Sequence, residues 1–225
     1  MTSIQTHIQA LQAQLPPSVR LVAVSKFHPI EAVREAYEAG QRLFGESHAQ
    51  ELVPKAQALP DDISWHFIGH LQTNKVKQIV PYVACIQSVD SERLLLEIDK
   101  QASRIGRVVD VLLQFHIARE ETKSGFTREE CLQLLSSPAF RQMTSIRVTG
   151  VMGMATATDD MEQVRREFRA LKSIFDELGQ TVFAGKAEFR EISMGMSHDW
   201  PVAVEEGATL VRVGTAIFGQ RDYGK

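Results

Sequence analysis

The sequence feature that most constrains the fold is an alternation of short apolar runs with stretches of helical periodicity. Eight runs rich in apolar and β-branched residues recur, each followed by a helix or helical turn. They cover residues 21–25, 42–44, 64–68, 84–89, 108–116, 147–152, 189–193 and 210–213. Because a helical crossover returns each strand in the same direction, these strands pair in parallel. The pattern predicts a single-domain α/β fold, a small (β/α)8 TIM barrel.

The helical stretches support one domain over residues 1–225. The clearest runs from 159 to 179, with apolar residues at steps of three and four and Gly179 as its predicted C-cap. Residues 1–17 predict an extra N-terminal helix and connector, ended by two prolines. An open doubly wound sheet is the alternative, but it normally has a glycine-rich first turn, and here that turn reads SKFHP.

Composition and charge narrow the classes of function. The chain is 44% hydrophobic and 24% charged, which is typical of a globular protein. A formal net charge of −3, with dispersed basic residues, argues against nucleic acid as a partner. The chain shows neither a signal peptide nor an apolar run of the roughly 20 residues needed to span a bilayer, so we expect no membrane partner. Cys85 and Cys131 lack metal or redox spacing, which favours reduced thiols and a cytoplasmic protein.

Lys26 is the leading candidate for chemistry. It follows the apolar strand LVAVS, so it is expected at the carboxyl-end mouth of the barrel, where this fold gathers its functional groups. Loss of hydration there disfavours the charged ammonium and leaves part of the lysine as a nucleophilic amine, which forms Schiff bases with aldehydes. The alternative is a lysine that merely extends to the solvated rim.

Two carboxyl-terminal stretches, ISMGMSHDW and LVRVGTAIFG, predict a phosphate site. Each places small residues and hydroxyls where a strand ends and a helix begins. Backbone N–H groups at such a position bind a phosphate dianion, and the loops after strands seven and eight are its usual place in this fold. The alternative is that Gly195 and Gly214 only serve tight turns. An aldehyde-seeking lysine and a phosphate cradle at one mouth suggest pyridoxal 5′-phosphate (PLP).

Arg212 lies inside an apolar strand, where an unpaired charge is costly. It is interpreted either as part of an internal salt bridge or as a donor to the pyridine nitrogen of the cofactor. In the second case a permanent cation would keep that nitrogen unprotonated and weaken the ring as an electron sink. His66 and His70 have an HxxxH spacing, but they are predicted on a strand and its exit without a third ligand, so no metal is expected.

Seven motifs follow one another in the order seen in a known family: VAVSK, FGESHAQEL, WHFIGHLQTNK, TKSGF, GVMGMAT, SMGMSHDW and VRVGTAIFG. From about residue 20 onward the chain resembles the pyridoxal-phosphate homeostasis proteins, single-domain relatives of the alanine racemase barrel. The resemblance implies a monomeric PLP-binding barrel that acts in vitamin B6 and amino-acid homeostasis, with no established catalytic activity. It also makes PLP-dependent apoenzymes candidate recipients of the cofactor.

The resemblance also implies roles for individual residues. Lys26 would carry the cofactor as an aldimine, and Arg212 would face the ring nitrogen. The residues implied for the phosphate are Ser197, Gly214 and Thr215, with Ser193 as a neighbour. Two positions depart from the family pattern. Ser47 stands where an asparagine faces the cofactor, so the hydrogen bond there would come from a hydroxyl or a water, and His70 stands where proline is common.

An enzyme of the racemase type is the alternative function, because it would use the same covalent bond. Racemisation requires a proton donor and acceptor on each face of the substrate carbon. Racemases supply a tyrosine through a second domain and a partner subunit, whereas Tyr37, Tyr82 and Tyr223 lie on predicted helices or the tail. A Schiff-base aldolase without cofactor is weaker, since it leaves the SMGMS and VGTAIFG stretches with less to explain. No catalytic residue is therefore assigned.

Overall fold

The structure is a computed structural model that describes residues 2–120 and 124–220. Eight parallel strands pair in sequence order, β1 to β8, and the last strand pairs with the first to close a barrel. The strands are β1 (Arg20–Val24), β2 (Leu43–Glu46), β3 (Ser64–Phe67), β4 (Val83–Val89), β5 (Val109–Phe115), β6 (Ile146–Gly153), β7 (Glu191–Met196) and β8 (Leu210–Val213). The predicted (β/α)8 barrel is confirmed.

Ten α-helices of the described residues surround or extend this barrel. They are α1 (Ser3–Gln14), α2 (Ile30–Glu38), α3 (Ala49–Ala58), α4 (Val76–Ile79), α5 (Glu92–Arg104), α6 (Arg128–Ser136), α7 (Pro138–Gln142), α8 (Met161–Gln180), α9 (Trp200–Glu205) and α10 (Thr215–Phe218). A short 3₁₀ turn, Thr73–Lys75, precedes α4. None of these helices is both long and apolar enough to cross a bilayer, within the residues that the structure describes.

Local sequence explains where the helices begin and end. Thr127 and Glu130 form a reciprocal capping box at the start of α6, and Asp160 caps α8 by accepting from the Gln163 N–H. The prediction that Gly179 ends the longest helix is wrong. Gly179 is helical, the helix continues through Gln180, and the chain leaves it at Thr181.

Apolar burial is divided between two regions. The larger one fills the space between the barrel and its helices, as expected for strands covered on their outer face. The smaller one lies inside the barrel and consists of Val22, Cys85, Leu112, Met152 and Leu210. Polar side chains join it inside the barrel, and four of them form the hydrogen-bonded chain described below. The interior is therefore a packed mixture of apolar and polar side chains.

The two ends of the barrel are used as landmarks below. The upper mouth is the end at which the strands finish, and the lower mouth is the end at which they begin. The N-terminal helix α1 covers neither mouth directly, because it packs against α2 and α10 on the side of the barrel. Its residue His7 contacts the carbonyl oxygen of Ile217 through Nδ1 at 3.0 Å, and Ile8 is fully buried. Helix α1 therefore supports the helix that follows the last strand.

Candidate functional site

Lys26 lies in the turn that follows β1, at the upper mouth, and its side chain is half-buried. The next residue, Phe27, has φ 65°, and no other non-glycine residue in the described ranges has a positive φ. A left-handed conformation costs an L-residue about 1–2 kcal/mol, so the surrounding structure must hold this turn in place. Strain of this kind next to a candidate lysine is typical of functional sites.

Two hydrogen bonds hold the Lys26 turn. The Phe27 N–H donates to Glu51 Oε2 at 2.6 Å, and the His28 N–H donates to the carbonyl oxygen of Ser25 at 3.1 Å. Glu51 comes from the first turn of α3, and its other oxygen lies 2.9 Å from His48 Nδ1. The start of α3 therefore fixes the backbone that carries Lys26.

A buried ionic cluster lies directly behind this turn. Lys55 Nζ donates to Glu46 Oε1 at 2.6 Å, to the Ser25 carbonyl oxygen at 2.8 Å and to Glu51 Oε2 at 3.3 Å. Three acceptors satisfy the three donors of the ammonium. The Ser25 hydroxyl also donates to Glu46 Oε1, at 2.7 Å. The cluster ties β1, β2 and α3 together at the position where Lys26 leaves the barrel.

Protonation within the cluster follows from burial and hydrogen bonding. Burial raises the pKa of the Glu46 carboxyl above its ordinary value, although Lys55 and Ser25 oppose this. Burial also acts to raise the pKa of Glu51. The hydrogen bonds from the Phe27 N–H and His48, together with Lys55, outweigh that effect and lower the Glu51 pKa overall. Glu51 therefore serves as an ionised acceptor for the Lys26 turn.

Ser197, Gly214 and Thr215 lie on two adjacent loops at the same mouth. The Gly214 N–H donates to Ser197 Oγ at 3.3 Å, which joins the loop after β7 to the start of α10. Thr215 is the first residue of α10, and its side chain is exposed. The first N–H groups of a helix have no intrahelical acceptor, so they are available to an anion together with the two hydroxyls.

Glycine is required at the end of β7, at Gly195, and close packing favours it at Gly214, before α10. Gly195 has φ 89°, and a Cβ there would lie 2.6 Å from Cβ of Ala203. A Cβ on Gly214 would lie 3.1 Å from the carbonyl oxygen of Val24, so Gly214 packs against the end of β1. This packing brings the predicted phosphate loop next to the end of β1, the strand that leads into the Lys26 turn. The glycines thus serve turns and also set this close approach.

Arg212 lies inside the barrel beneath the upper mouth and is 4% exposed. Its Nη1 donates to Ser193 Oγ at 2.6 Å, and its Nη2 donates to the Gly153 carbonyl oxygen at 3.0 Å. Burial lowers the pKa of Arg212 to about 10, with Asp199 opposing, so the guanidinium stays charged at neutral pH. No described residue forms an ion pair with Arg212, which contradicts the internal salt bridge considered above.

The two departures from the family pattern also lie at the upper mouth. Ser47 follows β2 and is half-buried, and a Cβ on Gly69 would clash with the Ser47 backbone. His70 is largely exposed, and its Nδ1 lies 3.3 Å from Oδ2 of Asp90. His66, in contrast, points inside the barrel and bonds to Gln87. The HxxxH pair therefore does not converge, and the described residues contain no cluster of three His, Cys, Asp or Glu suited to a metal.

Six of the seven residues assigned from sequence lie at or just inside the upper mouth: Lys26, Ser47, Ser197, Arg212, Gly214 and Thr215. Ser193 lies deeper in the barrel, where it pairs with Leu210, the first residue of β8. Sequence reasoning missed Glu46, Glu51 and Lys55. Two signals in the sequence pointed to them. Glu46 stood at a predicted strand end, and Glu51 and Lys55 have the i,i+4 spacing of a helical ion pair. Residues 121–123, including the start of the TKSGF motif, lie outside the described residues.

Comparisons with known proteins place the chain in a family. Residues 1–222 match the family model of the alanine racemase N-terminal domain. The Aquifex aeolicus pyridoxal phosphate homeostasis protein is 41% identical over 205 residues, which cover 91% of this chain and 88% of the relative. The protein of the same name from Pasteurella multocida is 36% identical over 231 residues, covering 100% and 97%. This chain belongs to the pyridoxal phosphate homeostasis protein family.

Solved structures agree with this assignment. PipY of Synechococcus elongatus, a COG0325 family member solved with PLP bound, is 39% identical and superposes with a TM-score of 0.86 over 96% of this chain and 100% of that chain. A Clostridium difficile alanine racemase has a TM-score of 0.73 at 15% identity, covering 97% of this chain and 56% of the racemase chain. The likeness to the racemase shows a shared fold alone. The homeostasis-protein resemblance seen in the motifs is confirmed.

Proposed function

We propose that this chain binds PLP at the upper mouth and takes part in PLP and amino-acid homeostasis by holding the cofactor and releasing it. The observation that carries the proposal is that Gly214, whose N–H donates to Ser197, packs on Val24, two residues before Lys26. The β1–β8 pairing and the packing of Gly214 on Val24 bring the candidate lysine and the candidate phosphate loop to one mouth. PipY, the similar protein solved with PLP bound, supports the choice of cofactor.

The described residues fit PLP group by group. Lys26 would offer the amine, the hydroxyls of Ser197 and Thr215 with the N–H groups of early α10 would offer phosphate donors, and Ser47 would offer a further hydroxyl. Buried Arg212 also suits this cofactor. Its guanidinium has five N–H donors and uses two of them in its bonds to Ser193 and Gly153. A buried cation with spare donors and no ion-pair partner among the described residues suits a ring nitrogen acceptor.

The same residues favour retention over turnover. PLP supplies an aldehyde for covalent attachment and a ring that withdraws electrons from attached amino compounds. Arg212 remains a cation, so it does not protonate the ring nitrogen and does not strengthen that withdrawal. Tyr37 and Tyr82 bond to Asp62 and Gln57 before strands β3 and β4 begin, at the lower end of the barrel. Neither is positioned as a second acid or base opposite Lys26; Tyr223 lies outside the described residues.

Cofactor loading tests the proposal directly. The purified protein incubated with PLP is expected to turn yellow, and borohydride is expected to fix the cofactor to Lys26, as read by peptide mass spectrometry. Lys26→Ala should stay colourless, whereas Lys77→Ala, which changes an exposed lysine on α4, should load normally. A wild-type protein that takes up no PLP would overturn the proposal, as would attachment at another lysine.

The non-catalytic part of the proposal has its own test. The loaded protein is incubated with D- or L-alanine in deuterated water, and loss of the α-proton is followed by NMR. Exchange no faster than with free PLP supports a carrier, and exchange at enzymatic rates would establish the racemase-like alternative. We further propose that the recipients are PLP-dependent apoenzymes and that the protein is a cytoplasmic monomer. Activation of an apoenzyme by the loaded protein tests the proposed recipients, and light scattering tests the monomeric state.

A further inference from the structure

A cavity of about 380 Å³ opens at the lower mouth, at the end of the barrel opposite Lys26. Its buried lining consists of His66, Cys85, Leu112, Thr149, Leu210 and Glu191. This volume is near the lower end of the range for small-molecule sites, and the lining is more polar than in most of them. None of the functional residues assigned above lines this cavity.

A directed chain of hydrogen bonds fixes the state of His66. Arg212 can only donate, so it donates to Ser193 Oγ, and the Ser193 hydroxyl then donates to Gln87 Oε1 at 2.6 Å. This leaves the amide nitrogen of Gln87 to donate to His66 Nδ1, at 2.7 Å. Because Nδ1 accepts a hydrogen bond, the imidazole carries its proton on Nε2.

His66 therefore presents an N–H donor to the lower-mouth cavity. The residue is 6% exposed, and no described residue accepts a hydrogen bond from Nε2. Burial, with a contribution from Arg20, lowers the pKa of His66 to about 3, so the ring is neutral at physiological pH. An acceptor group that enters the cavity can therefore take a hydrogen bond from this N–H.

Charged side chains of both signs line the outer part of the cavity. Arg20 lies 2.6 Å from Glu191, and Arg147 lies 2.7 Å from Asp110. Arg190 also reaches Glu191, at 3.4 Å, and Glu188 completes the lining. The three arginines and three carboxylates balance in charge, so the lining favours a zwitterion over an anion or a cation.

We propose that the lower mouth is a second binding site, which takes a free α-amino acid whose side chain ends in a hydrogen-bond acceptor. The α-carboxylate lies against the arginines, and the α-ammonium lies against the acidic side chains. The side chain passes Cys85 and Leu112 and accepts from His66 Nε2–H. This site is independent of PLP, although the chain through Gln87 and Ser193 links its floor to Arg212.

L-Glutamine is the probe, and ligand-detected saturation-transfer NMR on the full-length, PLP-loaded protein is the measurement. Transfer to L-glutamine is expected in the wild type and in His66→Gln, because a glutamine there can accept from Gln87 and still donate into the cavity. His66→Leu keeps the bulk but removes the donor, and a fivefold or greater loss of affinity is expected. Circular dichroism confirms that each variant folds.

Two comparisons test whether binding requires the charged rim and the ammonium group of the ligand. The double variant Asp110→Ala/Arg147→Ala removes one ion pair at the rim and should weaken binding at least fivefold, while Arg128→Ala/Glu177→Ala removes an ion pair between α6 and α8 and should not. Glutaramic acid, which lacks the ammonium group, should bind at least fivefold more weakly than L-glutamine.

The proposal is overturned if no saturation transfer to L-glutamine occurs, if the rim variant binds L-glutamine normally, or if glutaramic acid binds as tightly as L-glutamine. It is also overturned if borohydride fixation of PLP abolishes binding, because the amino acid would then occupy the upper mouth.

Discussion

Lys55 Nζ lies 2.6 Å from Glu46 Oε1, and both side chains are nearly fully buried. The pair also holds the carbonyl oxygen of Ser25, the residue immediately before Lys26. A buried ion pair is weak evidence for stability by itself, since desolvation offsets the attraction. Here its geometry fixes the end of β1, so its main contribution is to the position of the lysine.

Removing one partner of this pair is expected to be costly. Lys55→Met leaves Glu46 buried without its counter-ion, and we expect the free energy of unfolding to fall by about 3–5 kcal/mol. The double variant Glu46→Leu/Lys55→Met should recover most of that stability but load PLP more slowly, because the Ser25 carbonyl loses its donor. Urea unfolding and the rate of PLP uptake measure the two effects.

Lys172→Met, in a half-exposed pair with Asp176, should cost less than about 1 kcal/mol. Equal stability of Lys55→Met and wild type would contradict the expected role of the pair.

Gly195 and Gly185 form a matched pair of glycines with positive φ. Their φ angles are 89° and 75°, but a Cβ would clash with Ala203 only at Gly195, whereas it meets nothing within 4 Å at Gly185. Gly185→Ala should therefore cost about 1–2 kcal/mol for backbone strain alone. Gly195→Ala should cost more, and it should weaken PLP binding because the loop that carries Ser197 must shift. Thermal unfolding and PLP titration test this, and equal effects of the two substitutions would refute it.

His66 predicts a specific dependence of stability on pH. Its pKa is about 3 in the folded protein and about 6.5 when unfolded, so between these values the unfolded chain binds more protons. The free energy of unfolding should therefore fall as pH decreases from about 6.5, by up to about 1.4 kcal/mol per pH unit. His66→Gln has no titrating group at this position and should lose this contribution. The free energy of unfolding of the two proteins is compared between pH 6.5 and 4.5, and equal slopes against pH would show that His66 is not held neutral. At pH 8 the same comparison gives the cost of the substitution itself.

The barrel and its upper mouth follow from sequence because they depend on local signals. Apolar runs mark the strands, and the carboxyl ends of parallel strands necessarily meet, so Lys26 and Gly214 could be brought together without coordinates. The strand limits were less accurate. The seventh strand was predicted over 189–193 but spans Glu191–Met196, because Phe189 belongs to the outer core and pairing with β8 extends to Met196 across a register shift.

The buried polar groups could not be predicted in the same way. Lys55 has the helical spacing of an exposed residue, and only the packing of α3 on β2 reveals that it is buried. The contact between His66 and Gln87 depends on which faces of β3 and β4 turn inward, and the register between these strands shifts after Trp65. A one-residue change of register reverses every side chain, so periodicity alone does not determine this interior chain.

The support of α10 by α1 has a consequence for how the protein is made. The carbonyl oxygen of Ile217 contacts His7, and β8 closes the barrel against β1, so α1 and α10 meet beside the candidate phosphate loop. A nascent chain in which residues 210–218 have not yet left the ribosome has neither β8 nor α10. Such a chain has Lys26 but lacks the candidate phosphate loop beside it, so we expect PLP binding only after α10 has formed.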